Sequence, residues 1–389
     1  DWVAVAVAGR NEPVARILQK IGEDEGGTPE AFVVGCSHRL PARMAAKING
    51  TLSHALDYDD THFDSMGHTS VAVIPAALSL ADKMSIEPKA FLEAALMGVE
   101  LAVRIGTWLG RSHYHAGFHM TATAGTFGAA MASARILGLS SERTRHALGI
   151  AASMASGIKT QFGTMGKPLH AGLAAHAGVD AALLARDGFV STHDGLEGEQ
   201  GFSLTHHGAG DTGAFDGLGD DFVFERVSHK FHACCHGIHA TLEALAILRL
   251  RYSVQPEEIA ELVITVNPQY LNVCNIASPL TGLEAKFSYR LVAAMFMHGH
   301  DTARIETYND MICQDKDVLR LRDKVIVATD AGISDAAATV DLKLANGVQH
   351  SQSFNLTDPM SLPAREARVR AKAASLIGAV EADSLWQKV

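Results

Sequence analysis

The sequence predicts a mainly α protein, a large helical domain followed by a smaller α+β domain, on three observations. Alanine and glycine abound while aromatic residues make up only 6% of the chain, a composition that favours closely packed helices over a β-sandwich. Long Ala-rich segments with helical spacing of apolar residues follow one another through the first 225 positions. Short alternating β-branched runs appear only after residue 260.

The helical segments fall at 72–83, 90–107, 121–138, 142–158 and 169–187, each closed by Gly, Pro or Ser-containing turns. Gly125, Gly128 and the alanines after them permit close helix contacts. The pattern predicts helix throughout this region, up to about residue 225. Beyond Lys230 one more helix, 238–252, precedes the alternating runs ELVITV (261–266), KVIVAT (324–329) and TVDLKL (339–344). The last passes through Asn346-Gly347, the strongest short hairpin signal. From Asp358-Pro359 onward the pattern is helical again and is expected to rejoin the first domain. The predicted organisation is therefore a helical domain over 1–228, completed by 355–389, and an α+β domain over 229–354.

A length of 389 residues with 47% hydrophobic content suits two or three domains with a large core. A net charge of −10 argues against nucleic-acid binding, which needs a basic face. Five cysteines without regular spacing form no disulfide framework, which points to a reducing compartment and the cytoplasm. The most apolar stretches carry Arg104 and Arg135, so no membrane span is expected. The chain opens in an apolar run without an initiator Met, and some N-terminal sequence is expected to be absent.

The stretch HALDYDDTH, 54–62, crowds three carboxylates, two imidazoles, a phenol and a hydroxyl into nine residues without Lys or Arg. On a helix, His54, Asp57, Tyr58 and Thr61 share one face while Asp59 and Asp60 point elsewhere. That pattern is a polar pocket wall or a solvated helix end, and on the first reading Asp59 matters much less than Asp57. In Thr164-Met-Gly-Lys-Pro-Leu-His170, Pro168 suits a first helical turn, which puts Lys167 at a helix N-terminus where an anion is already favoured. A surface lysine beside a helix start is the plain alternative.

Two histidine-rich stretches, 111–119 and 229–239, hold soft-ligand residues including Cys234, Cys235, His236 and His239. Adjacent cysteines do not close one tetrahedral site, and no second motif with zinc-finger spacing accompanies them, so no metal is expected. No Gly-rich dinucleotide fingerprint, Walker lysine or nucleophile-elbow serine is present. There remains a polar set, Asp57, Thr61, His68, His119, Lys167 and Lys230, each at a turn or helix end. Removing a proton from carbon next to a carboxylate needs a base near neutral pKa and cations to hold the growing charge, and histidine and lysine fill those roles.

In order along the chain stand NGTLSHALDYDDTH, HTSVAVIPAALSLAD, GFHMTATAGTFGAAMASARILGL, ALGIAASMASGI, GTMGKPLHAGLAAHAGV, LEGEQGF, KFHACCHGIHA and AKFSYRLVAAM. This series resembles the MmgE/PrpD family over nearly the whole chain. The resemblance implies a large all-helical domain with a smaller α+β lid, usually in a homodimer. It also implies chemistry on small polycarboxylates without metal or organic cofactor: 2-methylcitrate dehydration, cis-aconitate decarboxylation or iminodisuccinate epimerisation. Asp57, His119, Lys167 and Lys230 are its implied catalytic residues, and Thr61, His68 and Cys235 its implied substrate contacts. The chain departs from the family pattern at His68-Thr-Ser, Gly166-Lys-Pro, Ala233, Cys235 and Leu291. The last two count against a decarboxylase and against the enterobacterial type of methylcitrate dehydratase. A dehydratase-like lyase is therefore expected first and an epimerase second, with a decarboxylase or a non-catalytic scaffold behind them.

Overall fold

A computed structural model describes residues 1–388, apart from the side chain of Asn272. The chain forms two compact units, Asp1–His229 and a second running from Lys230 onward.

The first unit is a stack of helices: α1 (Trp2–Gly9), α2 (Pro13–Glu25), α3 (Ala42–His54), α4 (Ser70–Met84), α5 (Pro88–Ala116), α6 (Met120–Ile136), α7 (Ser141–Ala152), α8 (Gly166–Arg186) and the single turn α9 (Phe202–Thr205). A two-stranded antiparallel ribbon, β1 (Ala31–Phe32) with β2 (Arg39–Leu40), lies between α2 and α3. Local chemistry sets the ends. Pro13 and Pro88 open α2 and α5, where a missing N–H costs nothing. Ser140 caps α7 by accepting from the Arg143 amide. Ser85 and Gly117 close α4 and α5 in left-handed conformation.

Helices α3, α4, α6 and α8 pack on one another, with α5 against α6. Their contacts are close because small residues meet. A Cβ on Gly128 would lie 2.5 Å from the Gly98 carbonyl oxygen, and one on Gly50 would lie 2.9 Å from the Gly172 Cα. Ile48, Leu52, Val73, Leu80 and Val179 fill the core between them. Burying each such side chain contributes roughly 1.5–3 kcal/mol. Helix α5 breaks at Gly110, whose φ of +69° leaves the carbonyls of Trp108 and Leu109 to accept from the amides of Gly210 and Ala209.

A buried ion pair anchors the connection that follows α8. Arg104 Nε lies 2.7 Å from Glu100 Oε1. Its guanidinium also donates to the carbonyls of Ala214, Asp216 and Asp221. Glu100 in turn accepts from the amides of Val223 and Phe224. Apart from α9 and short 3₁₀ turns, residues 187–229 are irregular, where the sequence pattern had predicted helix. The frequent glycines between 188 and 219 withhold helix propensity, and Arg104 and Glu100 supply the bonds that the irregular backbone lacks.

In the second unit the sheet order is β4-β3-β5-β6. Its strands are β3 (Ile259–Val266), β4 (Val325–Thr329), β5 (Ala337–Leu344) and β6 (Gln349–Asn355). Strand β3 pairs parallel with β4 and antiparallel with β5, and β5 and β6 form the hairpin marked by Asn346-Gly347. The parallel connection runs through α11 (Gly282–Ala285), α12 (Tyr289–Met297) and α13 (Lys316–Arg322), while α10 (His239–Tyr252) packs on β5 and β6. Ala338, Val340 and Leu342 give β5 its buried face.

The tail helices α14 (Leu362–Ile377) and α15 (Ala379–Trp386) cluster with this second unit rather than with the helical one. The cause is local: the Arg368 guanidinium pairs with Glu243 on α10 and stacks 3.9 Å over the Phe231 ring. Among the described residues no helix is long and apolar enough to cross a membrane.

Candidate functional site in the helical unit

Helix α3 does not continue through HALDYDDTH. It stops at His54, and Asp57 takes φ +50°, a left-handed conformation that Asp adopts more readily than most residues. The expected single helical face of His54, Asp57, Tyr58 and Thr61 therefore does not form. The chain instead turns back on itself. Tyr58, Asp59 and Asp60 are all buried. Asp60 accepts from the Ser70 hydroxyl at 2.7 Å, at the start of α4. Thr61 exchanges both backbone hydrogen bonds with Ser228, each 2.8 Å, and the His62 Nε2–H donates to the Val223 carbonyl.

This turn brings together side chains from several helix ends. Lys167, in the first turn of α8, places its Nζ 2.7 Å from Asp57 Oδ1. His68, two residues before α4, has Nε2 3.5 Å from the same oxygen. Its Nδ1 lies 2.7 Å from Asp59 Oδ2, and the His54 Nδ1 lies 2.9 Å from Asp59 Oδ1. The rings of His54 and His68 meet edge to face at 4.5 Å, and the ring of His119, which leads into α6, stacks 6.0 Å from that of His54. His119 Nδ1 faces His170 Nδ1 at 3.0 Å, so one donates to the other. Phe162 closes over the edge of His119 at 5.0 Å.

Burial opposes the charge on Asp59, but the imidazoles of His54 and His68 outweigh it and hold the carboxyl well below the usual carboxylate range. Burial, reinforced by the neighbouring His54, Lys167, His68 and His170, pushes His119 well below the ordinary imidazole value. His119 is thus a neutral ring at pH 7, and a weak base until an anionic substrate offsets the neighbouring positive charge. Burial lowers His170 too, with His54 adding to it.

Of the residues singled out in the sequence, Asp57, His68, His119 and Lys167 meet here. Thr61 lies on the returning backbone, paired with Ser228 rather than one helical turn from Asp57. Lys230 and Cys235 belong to the second unit. There Lys230 is buried, and burial pushes the Cys234 thiol up to about 12. Sequence reasoning put His54 on the polar face but left it and His170 out of the site, and misdirected Asp59, which points into the cluster. The crowding of polar types in 54–62 was the available signal, and assuming helical spacing sent it astray.

Among the described residues, three or more metal-ligating types converge in two places, neither in the histidine-rich stretches. One is His54, Asp57, Asp59 and His68, and the other is Glu142, His146 and His193. In the first, the Lys167 ammonium already sits on Asp57 and both histidine Nδ1 atoms are turned onto Asp59.

Comparison with known proteins adds the following. Residues 1–212 match the MmgE/PrpD N-terminal domain and residues 232–385 the MmgE/PrpD C-terminal domain. The chain is 31% identical to human cis-aconitate decarboxylase over 277 residues, 67% of this chain and 56% of that protein. It is 30% identical to a cis-aconitate decarboxylase-like protein of Aspergillus oryzae over 269 residues, 65% of this chain and 56% of that one. The mouse cis-aconitate decarboxylase is 35% identical over 169 residues, 42% of this chain and 34% of that protein. The matches thus span between about a third and little more than half of these relatives' lengths.

Proposed function

The chain belongs to the MmgE/PrpD family, and from that premise we propose that it is a lyase acting on a small di- or tricarboxylate by moving a proton at the carbon next to a carboxylate. The observation that carries this reading is a neutral, buried His119 that feels the charge of the Lys167 ammonium at the N-terminal end of α8. Helices α4, α6 and α8 all begin beside the cluster, and the positive ends of their dipoles favour negative charge there. A substrate carboxylate is held by Lys167 in the field of these helix ends. His119 takes the proton from carbon, and the charge that builds on the carboxylate is met by the ammonium that Asp57 holds in place. His68, between Asp59 and Asp57 and protonated at both ring nitrogens, is the acid whose Nε2–H protonates a departing hydroxyl. No step calls on a metal or organic cofactor. In the second unit, Lys230 and Cys235 keep the roles that the resemblance implied, a cation and a substrate contact, as part of the same proposal.

Water loss from a 2-methylcitrate-like hydroxy acid is the first outcome proposed, and return of the proton to the opposite face, an epimerisation, is its close variant. Decarboxylation is favoured separately by the names of the relatives. It moves a proton to carbon instead of away from it. The test is incubation of the purified protein in D2O with 2-methylcitrate, cis-aconitate and iminodisuccinate, followed by NMR and CO2 release. Loss of water identifies a dehydratase, CO2 a decarboxylase, and deuterium wash-in without net loss an epimerase. No turnover and no deuterium exchange with any of the three sinks the proposal.

A further inference from the structure

We propose that Asp59 is a positioning residue for the proton-transfer site, a buried carboxylate that fixes the ring orientation and tautomer of two histidines at once. The inference rests on the reading of the site as one that moves protons. An ionised carboxylate only accepts hydrogen bonds. Its Oδ1 accepts from His54 Nδ1 at 2.9 Å, and its Oδ2 lies in ion-pair contact with His68 Nδ1 at 2.7 Å; an unprotonated ring nitrogen this close to a carboxylate oxygen would repel it, so each of those nitrogens carries its proton. That leaves each ring to act through Nε2. For His68, Nε2 is the atom that approaches Asp57, and Asp57 holds Lys167. For His54, the ring so fixed lies flat beside His119. One buried group therefore sets what two rings present to the site.

The geometry is tight enough to specify this. The Asp59 side chain is 1% exposed and that of His54 is fully buried, while that of His68 keeps 12% exposure. The arrangement follows the logic of a catalytic Asp–His pair, in which the acid holds the tautomer without touching substrate, and where Asp→Asn costs roughly 10⁴-fold in kcat with the geometry intact. Here the acid serves two imidazoles. An asparagine in its place offers one acceptor and one donor, so both Nδ1–H groups cannot be satisfied.

The experiment is ¹⁵N-histidine NMR on wild type and Asp59→Asn, with signals assigned by His54→Gln and His68→Gln, together with kinetics on the polycarboxylate that wild type turns over. Wild type is expected to show Nδ1 protonated in both histidines. In Asp59→Asn at least one of the two shifts to the Nε2–H tautomer, and kcat falls at least about a hundredfold with KM within about threefold. An unprotonated Nδ1 on either histidine in wild type overturns the proposal, and this arm stands even if Asp59→Asn does not fold. Shifted tautomers with kcat unchanged also overturn it. Wild type with no turnover of any polycarboxylate sinks the proposed lyase activity instead, which the tautomer spectrum separates from the hold that Asp59 has on the rings.

Discussion

Acidification should weaken the helical unit through His113, a buried ring in the last turn of α5. Its Nδ1 donates to the His206 carbonyl, its Nε2 bonds the Thr123 hydroxyl at 2.9 Å, and its face stacks on Phe118 at 4.5 Å. Burial lowers its pKa from 6.5 to about 4. As pH falls below 6.5 the unfolded chain takes up a proton that the folded chain refuses, so the unfolded state binds more protons throughout that window. Stability contributed by the neutral ring is complete above pH 6.5 and is lost as pH falls toward 4. With these two values the loss between pH 7 and pH 5 is roughly 2 kcal/mol.

The perturbation is His113→Asn, which cannot titrate. The assay is urea unfolding at pH 7 and pH 5, followed by the fluorescence of Trp108, which is buried in the same unit. Whatever the substitution costs at pH 7, the drop between the two pH values should be smaller in the variant by about 2 kcal/mol. His62, His119, His170 and His206 are lowered in the same direction, so part of the drop persists in the variant. Equal drops in the two proteins would refute the assignment of a neutral, proton-refusing His113. The effect bears on the site, because Phe118, on which this ring stacks, immediately precedes His119.

Asp57→Asn should lower kcat at least about a hundredfold with the fold intact, because Asn tolerates the left-handed backbone and only the charge holding Lys167 is lost. Activity equal to wild type removes Asp57 from the mechanism. Arg104→Met leaves Glu100 buried without its ion-pair partner and should destabilise the first unit by about 3–5 kcal/mol. Thermal unfolding together with limited proteolysis, with cleavage concentrated between 211 and 227, checks this. Unchanged melting would show that the pair holds nothing. EDTA should leave turnover intact, and loss of activity restored by Zn²⁺ or Fe²⁺ contradicts the metal-free reading.

The long helices were legible because each carries many apolar positions at one period, a signal that survives local errors. The β5–β6 hairpin was legible from Asn346-Gly347 alone, since few residues adopt the turn that joins such strands. The turn at Asp57 was not. Its carboxylates and imidazoles happen to fall at helical spacing, and a single left-handed residue is enough to reverse the chain. Asp59 was misdirected for the same reason, because its partner His68 is nine residues away and no local period connects them. The helices of the tail were expected, but an amphipathic pattern does not name the surface it covers. That choice rests on the pairing of Arg368 with Glu243 and Phe231, contacts distant in sequence.

The glycine contacts between helices bear on how this protein could acquire a different substrate. Helices α3, α6 and α8 deliver His54, His119 and Lys167, and they meet backbone against backbone at Gly50 and Gly172 and at Gly178 and Ala129, where an added Cβ would come within 2.9 Å of its neighbour or closer. Walls held this way cannot widen by exchanging one side chain for a smaller one, since the side chains at the contact are already minimal. Nor can they absorb a larger one without moving a whole helix and the proton-handling group at its end. Selection for a longer or bulkier acid is therefore channelled into the connecting segments, such as 155–165 before α8, where Phe162 already borders His119. The chemistry is tied to the rigid helices, and the freedom to change specificity lies in the loops.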